Sequence, residues 1–414
     1  MSLVDNDYHY VNCYQLRHPM LKTSLCLIAV AISTNTLANE NNKNEYNSDQ
    51  FEHVIVSGSR ISESIDEVPA SITVINQQQI QQHLKVSSEL GSLLAQMVPG
   101  LAPDTGSSSN SGQTLRGRAP LIMIDGVPQS TPLRNGSLGV KTLDASAIAR
   151  IEVIKGATSI YGNGASGGII NYITKQARSD GKPEGEISIS SRFSAVKLAE
   201  SGGGRVSAAV NGKLNQLSYL LTASYEENGV QRDAQGDILG LQYGLSDSET
   251  QNYFTKLTYD FDDEKQLQFS YNFYSSQQKT DLGDVTGDGN IGEKTYAIHV
   301  PLALQKQGKP QGPEGNKNIT LKYVDYALFE NTQMTLDLYK QNIENVFFFS
   351  TALANLDEGY SGGQSVIKSD KQGARATFNS QFDFENLTAT LIYGIDALND
   401  KTSQPLVDGR VWVP

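Results

Sequence analysis

The second half of the chain alternates apolar and polar residues with a period of two. In the segment 266–275, for example, Leu267, Phe269, Tyr271 and Phe273 alternate with polar residues. This period is that of a β-strand, in which successive side chains point to opposite faces of the sheet. The pattern predicts nine strands, over 186–193, 205–214, 217–226, 252–261, 266–275, 318–328, 332–343, 373–382 and 387–397.

The connections between these predicted strands alternate in length. The connections after the second, fourth, sixth and eighth strands are short, and the first of them is Asn215-Gln216. The intervening connections are long, over 194–204, 227–251, 276–317 and 344–372. Strands of about ten residues can cross a bilayer when tilted, and this alternation of turns and loops is typical of an outer-membrane β-barrel. A soluble β-sandwich also alternates in hydrophobicity, but its connections are usually less regular.

The preceding segment, residues 60–176, has the pattern of a compact α+β domain. "ASITVIN" predicts a short strand, and Asn76 is a favourable N-cap for a helix that follows it. A second helix is predicted over "SSELGSLLAQM", with Ser87 or Ser88 as its cap. "LIMIDGVP" contains an Asp-Gly turn, and "LDASAIAR" predicts a helical turn before the strand "IEVIKG".

One glycine-rich stretch, "YGNGASGGIINYITK", contains the spacing GxGxxG at Gly162, Gly164 and Gly167. A dinucleotide-binding loop of this spacing must open a helix, whose N-terminal N–H groups bind the pyrophosphate. Here the run Ile169–Thr174 is β-branched and aromatic, which predicts a strand. The spacing therefore does not indicate a nucleotide site, and the glycines require another explanation.

The N-terminus resembles a targeting segment. Residues 1–38 contain a signal peptide that starts at Met20, with an apolar core and a cleavage site after Ala38. Residues 39–59 follow as a polar linker. Both cysteines, Cys13 and Cys26, lie in the leader, so the mature chain has no thiol chemistry and no disulfide.

Charge and composition exclude several classes of function. The formal net charge of -12 argues against a nucleic-acid-binding protein. The histidines have no metal-ligand spacing, and no nucleophile–base set stands out, so neither a metal site nor an enzyme is predicted. The loop "DLGDVTGDGNIGE" begins like a calcium-binding EF-hand loop, but Thr295 stands where the final glutamate is required.

Several motifs together resemble those of TonB-dependent outer-membrane transporters. These are "EHVIVSGSR", "LAQMVPGL", "LRGR", "MIDGVP" and "IARIEVIKGATSIYGNGASGGIINYITK". The resemblance is strong over residues 52–176, extends to 185–414 by pattern only, and is nearest to the siderophore-receptor branch, including receptors of the ferric aerobactin type. It implies an α+β plug domain at 60–176, followed by a transmembrane antiparallel β-barrel whose first part occupies 185–414.

The resemblance also implies roles for individual residues. The TonB box, to which a TonB-type inner-membrane energy-coupling protein would bind by strand addition, corresponds to His53, Val54, Ile55, Val56 and Ser57. An ordinary plug strand is the alternative for 54–56. Charged residues that would lock the plug to the barrel are Arg116, Arg118 and Glu152, with a local ion pair as the alternative. Contacts to the ligand would come from apical loops that include Asp104, Thr105, Gln113 and Arg134.

The glycines acquire a structural role in such a plug. Tight turns and close backbone approaches are expected at Gly156, Gly162, Gly164, Gly167 and Gly168.

The implied function is the uptake of a ferric siderophore by a monomeric receptor among outer-membrane lipids. Iron would be carried as a chelate, so no cofactor and no protein metal ligand are expected. The alternatives are a passive porin-like channel, a surface adhesin, or an importer of haem, cobalamin or another chelate. Barrels of this family have 22 strands and the pattern predicts about nine, so we expect an incomplete barrel that is inactive by itself.

Overall fold

The computed structural model describes residues 55–56, 63–64, 70–103, 113–129, 142–162, 164–176, 181–241, 244–301, 308–350, 362–385 and 387–408. The predicted leader therefore lies outside the described residues. No helix among the described residues is long and apolar enough to cross a membrane.

The first folded part is an α+β domain, here called the plug. Its central sheet has the order β3-β6-β7-β4-β5, in which β4 and β7 are parallel and the other pairs are antiparallel. These strands are β3 (Ser71–Ile75), β4 (Leu121–Ile124), β5 (Val127–Pro128), β6 (Ile148–Lys155) and β7 (Gly168–Thr174). A separate antiparallel pair consists of β1 (Ile55–Val56) and β2 (Glu63–Ser64).

Two helices cover the plug sheet. Helix α1 (Gln77–Leu84) begins after Asn76, as predicted, and Asn76 and Gln79 form a reciprocal capping box. Helix α2 (Leu90–Met97) begins after Glu89, so the predicted cap at Ser87 or Ser88 is wrong. The Ser87 hydroxyl instead accepts a hydrogen bond from the Glu89 backbone N–H, which forms a turn before the helix.

The core of the plug lies between the helices and one face of the sheet. It is built by Ile75, Ile80, Leu94, Ile148 and Ile151, all of which are fully buried. The stretch that contains the GxGxxG spacing runs into β7, a strand, as the β-branched sequence predicted.

The second part is a sheet of nine long antiparallel strands that follow one another in chain order. They are β8 (Glu184–Arg192), β9 (Gly203–Leu214), β10 (Leu217–Asn228), β12 (Ser248–Asp260), β13 (Lys265–Gln278), β17 (Asn316–Phe329), β18 (Thr332–Val346), β19 (Gly363–Phe384) and β20 (Leu387–Ser403). Short strands β16 (Gly312–Pro313) and β21 (Leu406–Asp408) pair with β18 and β19. The nine predicted strands are confirmed. Among the described residues, β8 and β20 are the edge strands of this sheet.

In this sheet the buried face is polar and the exposed face is apolar, which is the reverse of the arrangement in a soluble protein. The face toward the plug is polar and buried, with Asn252, Lys256, Asn272, Gln341 and Arg375 among its side chains. The opposite face is apolar and exposed, with Leu221, Tyr253, Phe269, Leu338 and Tyr393 among its side chains. A sandwich buries its apolar face, whereas a membrane-spanning wall turns that face to lipid. This distribution identifies the sheet as a transmembrane wall.

The long connections contain a small folded unit of their own. Strands β11 (Ile238–Leu239), β14 (Leu282–Val285) and β15 (Tyr296–His299) form a sheet in the order β11-β15-β14. Val230, Ile238, Leu282 and Ala297 pack into a separate core beneath it. This unit joins the connections after β10 and β13, which the sequence pattern treated only as loops.

The apolar outer face yields a stability prediction. Leu221 is 43% exposed and lies near the middle of β10. If its surroundings are lipid, Leu221→Arg will lower the free energy of unfolding by about 2–4 kcal/mol. The measurement is guanidinium unfolding of the protein in phospholipid vesicles, followed by circular dichroism.

Ile291→Arg is the matched control for this substitution. Ile291 is 71% exposed but lies in a 3-10 turn of the long connection after β13, so the same charge should change stability by less than about 0.5 kcal/mol. Equal effects of the two substitutions would contradict a lipid environment for the wall.

Candidate functional site at the plug–wall interface

The wall holds the plug through a band of polar contacts. Among the described residues, eight of the nine long wall strands, all except β20, each contribute at least one side chain that bonds to the plug. These side chains are Glu186, Arg205, Ser224, Asn252, Lys256, Asn272, Lys322, Gln341 and Arg375. Neighbouring strands are about 4.8 Å apart, so a flat sheet could not bring all of them to one small domain. The wall therefore curves around the plug.

The Asp-Gly turn between β4 and β5 is the most heavily contacted point. Asp125 and Gly126 both have positive φ, 47° and 84°, which aims the Asp125 carboxylate at β7. Oδ1 accepts from the Thr174 N–H at 2.9 Å, and Oδ2 accepts from the Thr174 hydroxyl at 2.6 Å. Lys256 Nζ lies 2.9 Å from that hydroxyl and 3.4 Å from Oδ2. A buried cation of the wall is thus neutralised by a carboxylate of the plug.

Three more wall side chains bind the backbone of the same β4–β5 hairpin. Lys322 Nζ donates to the Asp125 carbonyl at 2.9 Å, and Arg375 Nη1 donates to the Gly126 carbonyl at 3.0 Å. Gln341 Nε2 donates to the Pro128 carbonyl at 2.8 Å. The two cations keep carboxylate partners on the wall itself, because Lys322 lies 3.5 Å from Asp337 and Arg375 lies 2.9 Å from Asp396. Strands β12, β17, β18 and β19 therefore converge on one hairpin.

A second plug carboxylate, Asp144, forms the other anchor. It caps the 3-10 turn Ala145–Ala147 by accepting from the Ser146 N–H at 2.8 Å. The same side chain accepts from Arg205 Nη2 at 2.9 Å and from the Ser224 hydroxyl at 3.0 Å. Its backbone N–H donates to Asn252 Oδ1 at 3.0 Å. One residue therefore begins a helical turn and joins the plug to β9, β10 and β12.

Apolar contact between the plug and the wall is limited by comparison. Among the described wall residues, Leu220 and Phe254 are the members of the main plug core. Hydrogen bonds and ion pairs can be exchanged for bonds to water, whereas a packed apolar interface can separate only at the cost of exposing that surface. The plug is therefore held to the wall mainly by hydrogen bonds and ion pairs.

The predicted lock residues occupy different environments. Arg116 and Arg118 are exposed, and Arg116 has a positive φ of 52°. Glu152 is fully buried and pairs with Arg150 of the same plug strand at 2.8 Å, which is the local ion pair that the sequence left as the alternative. Pairing of the two arginines with the wall remains a prediction.

The predicted TonB box is described only in part. Ile55 and Val56 pair with Ser64 and Glu63 in the β1–β2 hairpin, whereas His53, Val54 and Ser57 lie outside the described residues. Binding of a motor protein by this segment is untested and remains a prediction.

The predicted ligand residues are mostly outside the described part of the chain, which omits Asp104, Thr105 and Arg134. Gln113 is described and is only 4% exposed. Its amide nitrogen donates to the carbonyls of Gly91 and Ala102, so it fixes the loop to α2 instead of facing an apical ligand.

The predicted structural glycines lie in constrained backbone. A Cβ on Gly167 would lie 2.5 Å from the Arg118 carbonyl oxygen, so the glycine permits a close crossing of two chain segments. Positive φ values occur at Gly156, Gly162, Gly164 and Gly168.

Sequence reasoning missed both anchors. The "MIDGVP" motif predicted the turn, but nothing in it indicated that the Asp125 side chain would bind a residue of the wall. Lys256 was assigned only to the polar face of a strand. An ionisable residue in the middle of a membrane-spanning strand is itself a signal, because it must have a partner inside the wall.

A further charged cluster joins three long connections on the side away from the short turns. His299 Nδ1 lies 2.8 Å from Asp281 Oδ1, and His299 Nε2 lies 3.2 Å from Glu200 Oε2. Arg232 also binds Glu200, at 3.2 Å. The Asp281 carboxylate, assisted by Glu200 and opposed by partial burial, raises the pKa of His299 above its ordinary value. No group of His, Cys, Asp or Glu among the described residues is arranged to hold a metal ion.

Comparison with known proteins agrees with this geometry. Residues 64–169 match the family model of the TonB-dependent receptor plug domain. The chain is 30% identical over 359 residues to the ferric aerobactin receptor of Klebsiella pneumoniae, covering 84% of this chain and 47% of that protein. It is 30% identical over 267 residues to the rhizobactin receptor of Rhizobium meliloti, covering 63% and 36%.

A solved structure shows the same fold. The crystal structure of the ferric enterobactin receptor of Pseudomonas aeruginosa superimposes with a TM-score of 0.59 at 21% identity, covering 81% of this chain and 50% of that one. The chain spans about half the length of the ferric aerobactin receptor and of the ferric enterobactin receptor.

The Asp125 anchor predicts non-additive stability effects. Asp125→Asn keeps a residue that tolerates positive φ but leaves Lys256 buried without a countercharge, so the free energy of unfolding should fall by about 3 kcal/mol or more. Lys256→Met leaves the carboxylate with Thr174 and should also destabilise. The double variant should recover much of the loss, as measured by guanidinium unfolding in vesicles.

Asp262→Asn is the control for the cycle. Asp262 pairs with Lys265 at 3.8 Å on the surface, and the amide can still accept the turn hydrogen bonds, so less than about 1 kcal/mol should be lost. Simple additivity of Asp125→Asn and Lys256→Met would contradict a direct pair.

The His299 cluster predicts a pH dependence. Because the folded-state pKa is raised, the stabilisation is complete below the ordinary histidine value of about 6.5 and is lost as pH rises through the raised pKa. Histidine NMR titration should give His299 a pKa above about 6.5. Asp281→Asn should lower that pKa, and an unchanged value would show that the contact does not exist in solution.

Proposed function

This chain belongs to the TonB-dependent receptors of the outer membrane, and we propose that it serves the uptake of a ferric siderophore. The observation that carries the proposal is a plug held inside a lipid-facing wall by exchangeable polar contacts, centred on Asp125 and Asp144. A passive channel requires no plug, and an adhesin requires no plug that can be released. Support for the ligand class comes from relatives that are named as ferric aerobactin and rhizobactin receptors.

The energy for uptake is proposed to come from a TonB-type protein of the inner membrane. It would bind the segment His53–Ser57 by adding that segment as a strand to its own sheet. Pulling on this segment would load the β1–β2 pair and then the plug. The contacts at Asp125 and Asp144 would open as water replaces their wall partners, which creates a path past the plug.

The ligand is proposed to bind on the long-loop side of the plug. Short turns of outer-membrane barrels face the periplasm and long loops face outward, so the connections after β8, β10, β13 and β18 are extracellular. The folded loop unit of β11, β14 and β15 gives this side an ordered surface. Iron would arrive already enclosed by its chelator, and the protein would recognise the anionic complex without coordinating the metal.

Radiolabelled ferric aerobactin provides the direct test. Because nine strands are expected to leave the barrel open, the test uses this chain joined to the C-terminal half of the ferric aerobactin receptor, which completes the barrel. Cells that lack their own aerobactin receptor and produce this chimera should accumulate the label when they have a TonB protein, and should not when it is deleted. Ile55→Pro removes a backbone donor of the proposed TonB box, so it should reduce uptake at least tenfold while leaving binding to whole cells unchanged. Accumulation without TonB would indicate a channel and overturn the proposal.

Glu63→Pro is the matched control for the TonB box. Val56 pairs with Glu63, so this substitution disrupts the same β1–β2 hairpin without altering the box. Uptake should fall less than with Ile55→Pro. Equal losses would show that the hairpin, and not strand addition by the box, is what uptake requires.

A further inference from the structure

The β4–β5 hairpin of the plug contacts the wall on two sides that differ in their chemistry. On one side, the Asp125 carboxylate pairs with Lys256 of β12. On the other side, Lys322 of β17 and Gln341 of β18 donate to backbone carbonyls of the hairpin. We call the first contact the hinge and the second contact the seam.

The hinge is costly to open. Among the described residues, no wall carboxylate pairs with Lys256, and the residues directly opposite it on the neighbouring strands are Leu220 and Ser270. Lys256 is only 4% exposed, so its separation from Asp125 would leave a buried charge unpaired. Leu220 and Phe254 on this side also belong to the plug core, and separation would expose them to water.

The seam loses less when it opens. Lys322 lies 3.5 Å from Asp337, which is directly opposite it on β18, so the cation keeps a carboxylate partner when the plug moves away. Gln341 gives up one hydrogen bond to a neutral carbonyl. Water can replace both of the bonds that are lost, so opening the seam leaves no charge unpaired.

The seam also contains buried amide groups without partners. Among the described residues, no hydrogen-bond partner is present for either amide atom of Asn318, for Oε1 of Gln341 or for Oε1 of Gln129. All three side chains are buried. An unsatisfied buried polar group destabilises the closed state, and contact with water removes this cost. Hydration therefore favours an open seam.

A small cavity lies between the seam and the hinge. Its volume is about 10 Å³, which is room for a single water molecule. Gln129, Asn318 and Thr320 line it on the side of the seam, and Asp125 and Phe254 line it on the side of the hinge. Water that enters here reaches the unpartnered amides first.

We propose, on the basis of the proposed function in which the plug is released during uptake, that the plug separates from the wall first at the seam and last at the hinge. Water enters the seam and replaces the bonds of Lys322 and Gln341, while Asp125 and Lys256 still hold the hairpin to β12. The path past the plug therefore begins beside β17 and β18.

Cysteine labelling of the purified chimera used for the uptake test measures the order of opening. With all other cysteines replaced, the chimera carries either Thr320→Cys at the seam or Thr222→Cys, which is opposite Phe254 near the hinge. In urea too dilute to unfold the wall, maleimide labelling at Thr320→Cys should accelerate about tenfold, and labelling at Thr222→Cys should change less than about twofold. Equal acceleration at both positions, or a greater one at Thr222→Cys, would overturn the proposed order.

Two asparagines that are directly opposite each other provide a matched pair of substitutions. Asn318 lacks partners, whereas Asn272 of β13 donates to the Thr142 carbonyl of the plug and accepts from Asn252. Asn318→Leu removes an unsatisfied amide from the closed state, so it should slow the labelling of Thr320→Cys in the same urea about fivefold. Asn272→Leu leaves its partners unpaired and should accelerate that labelling.

Asn318→Ala keeps the test decisive if leucine is too large for the site. It also removes the amide and cannot crowd the cavity, so it should slow the labelling as well. Failure of both Asn318 substitutions to slow the labelling would show that this amide does not favour opening, and would overturn the seam.

The labelling experiment uses neither siderophore nor a TonB protein, so its outcome is independent of the uptake test. Failed uptake with earlier labelling at the seam would reject the proposed function and leave the order of opening in place. Successful uptake with simultaneous labelling at both positions would reject the order of opening alone.

Discussion

Burial of charge between the plug and the wall is the constraint on which the rest of the structure depends. The outer side of the wall faces lipid, which cannot satisfy a polar group, so the strands point their charges inward. A charge that is buried there against the plug needs a partner within the protein. Lys256 finds its partner in Asp125, and Arg205 finds its partner in Asp144. The plug thus fills the space beside the wall and also supplies the carboxylates that pair with Lys256 and Arg205 of the wall.

This dependence is mutual, because the plug's own turns are shaped for the wall. The carbonyl groups of Asp125 and Gly126 in the β4–β5 turn accept from Lys322 and Arg375 of the wall. A plug without its wall would leave these acceptors to water. A wall without its plug would leave Lys256 and Arg205 without the carboxylates that pair with them. The plug and the wall therefore each supply hydrogen-bond and charge partners that the other would otherwise take from water.

The sequence predicted the wall well and the interface poorly, for a physical reason. Strand alternation is local, so Leu267 to Phe273 show it within one segment, and turn chemistry such as Asp125-Gly126 is local too. The pair Asp125–Lys256 joins residues far apart in the chain, and no local pattern encodes it. The same limit explains why Gln113, assigned by its place in a loop, lies buried against α2.

The backbone at Asp125 restricts what evolution can place there. The positive φ at this position favours Gly, Asn and Asp over other residues. Asn and Gly would keep the shape of the hairpin but lose the charge, while Glu would keep the charge but strain the backbone. A substitution of Asp125 alone would therefore lose either the charge or the favoured geometry of the turn. We expect positions 125 and 256 to change together among relatives.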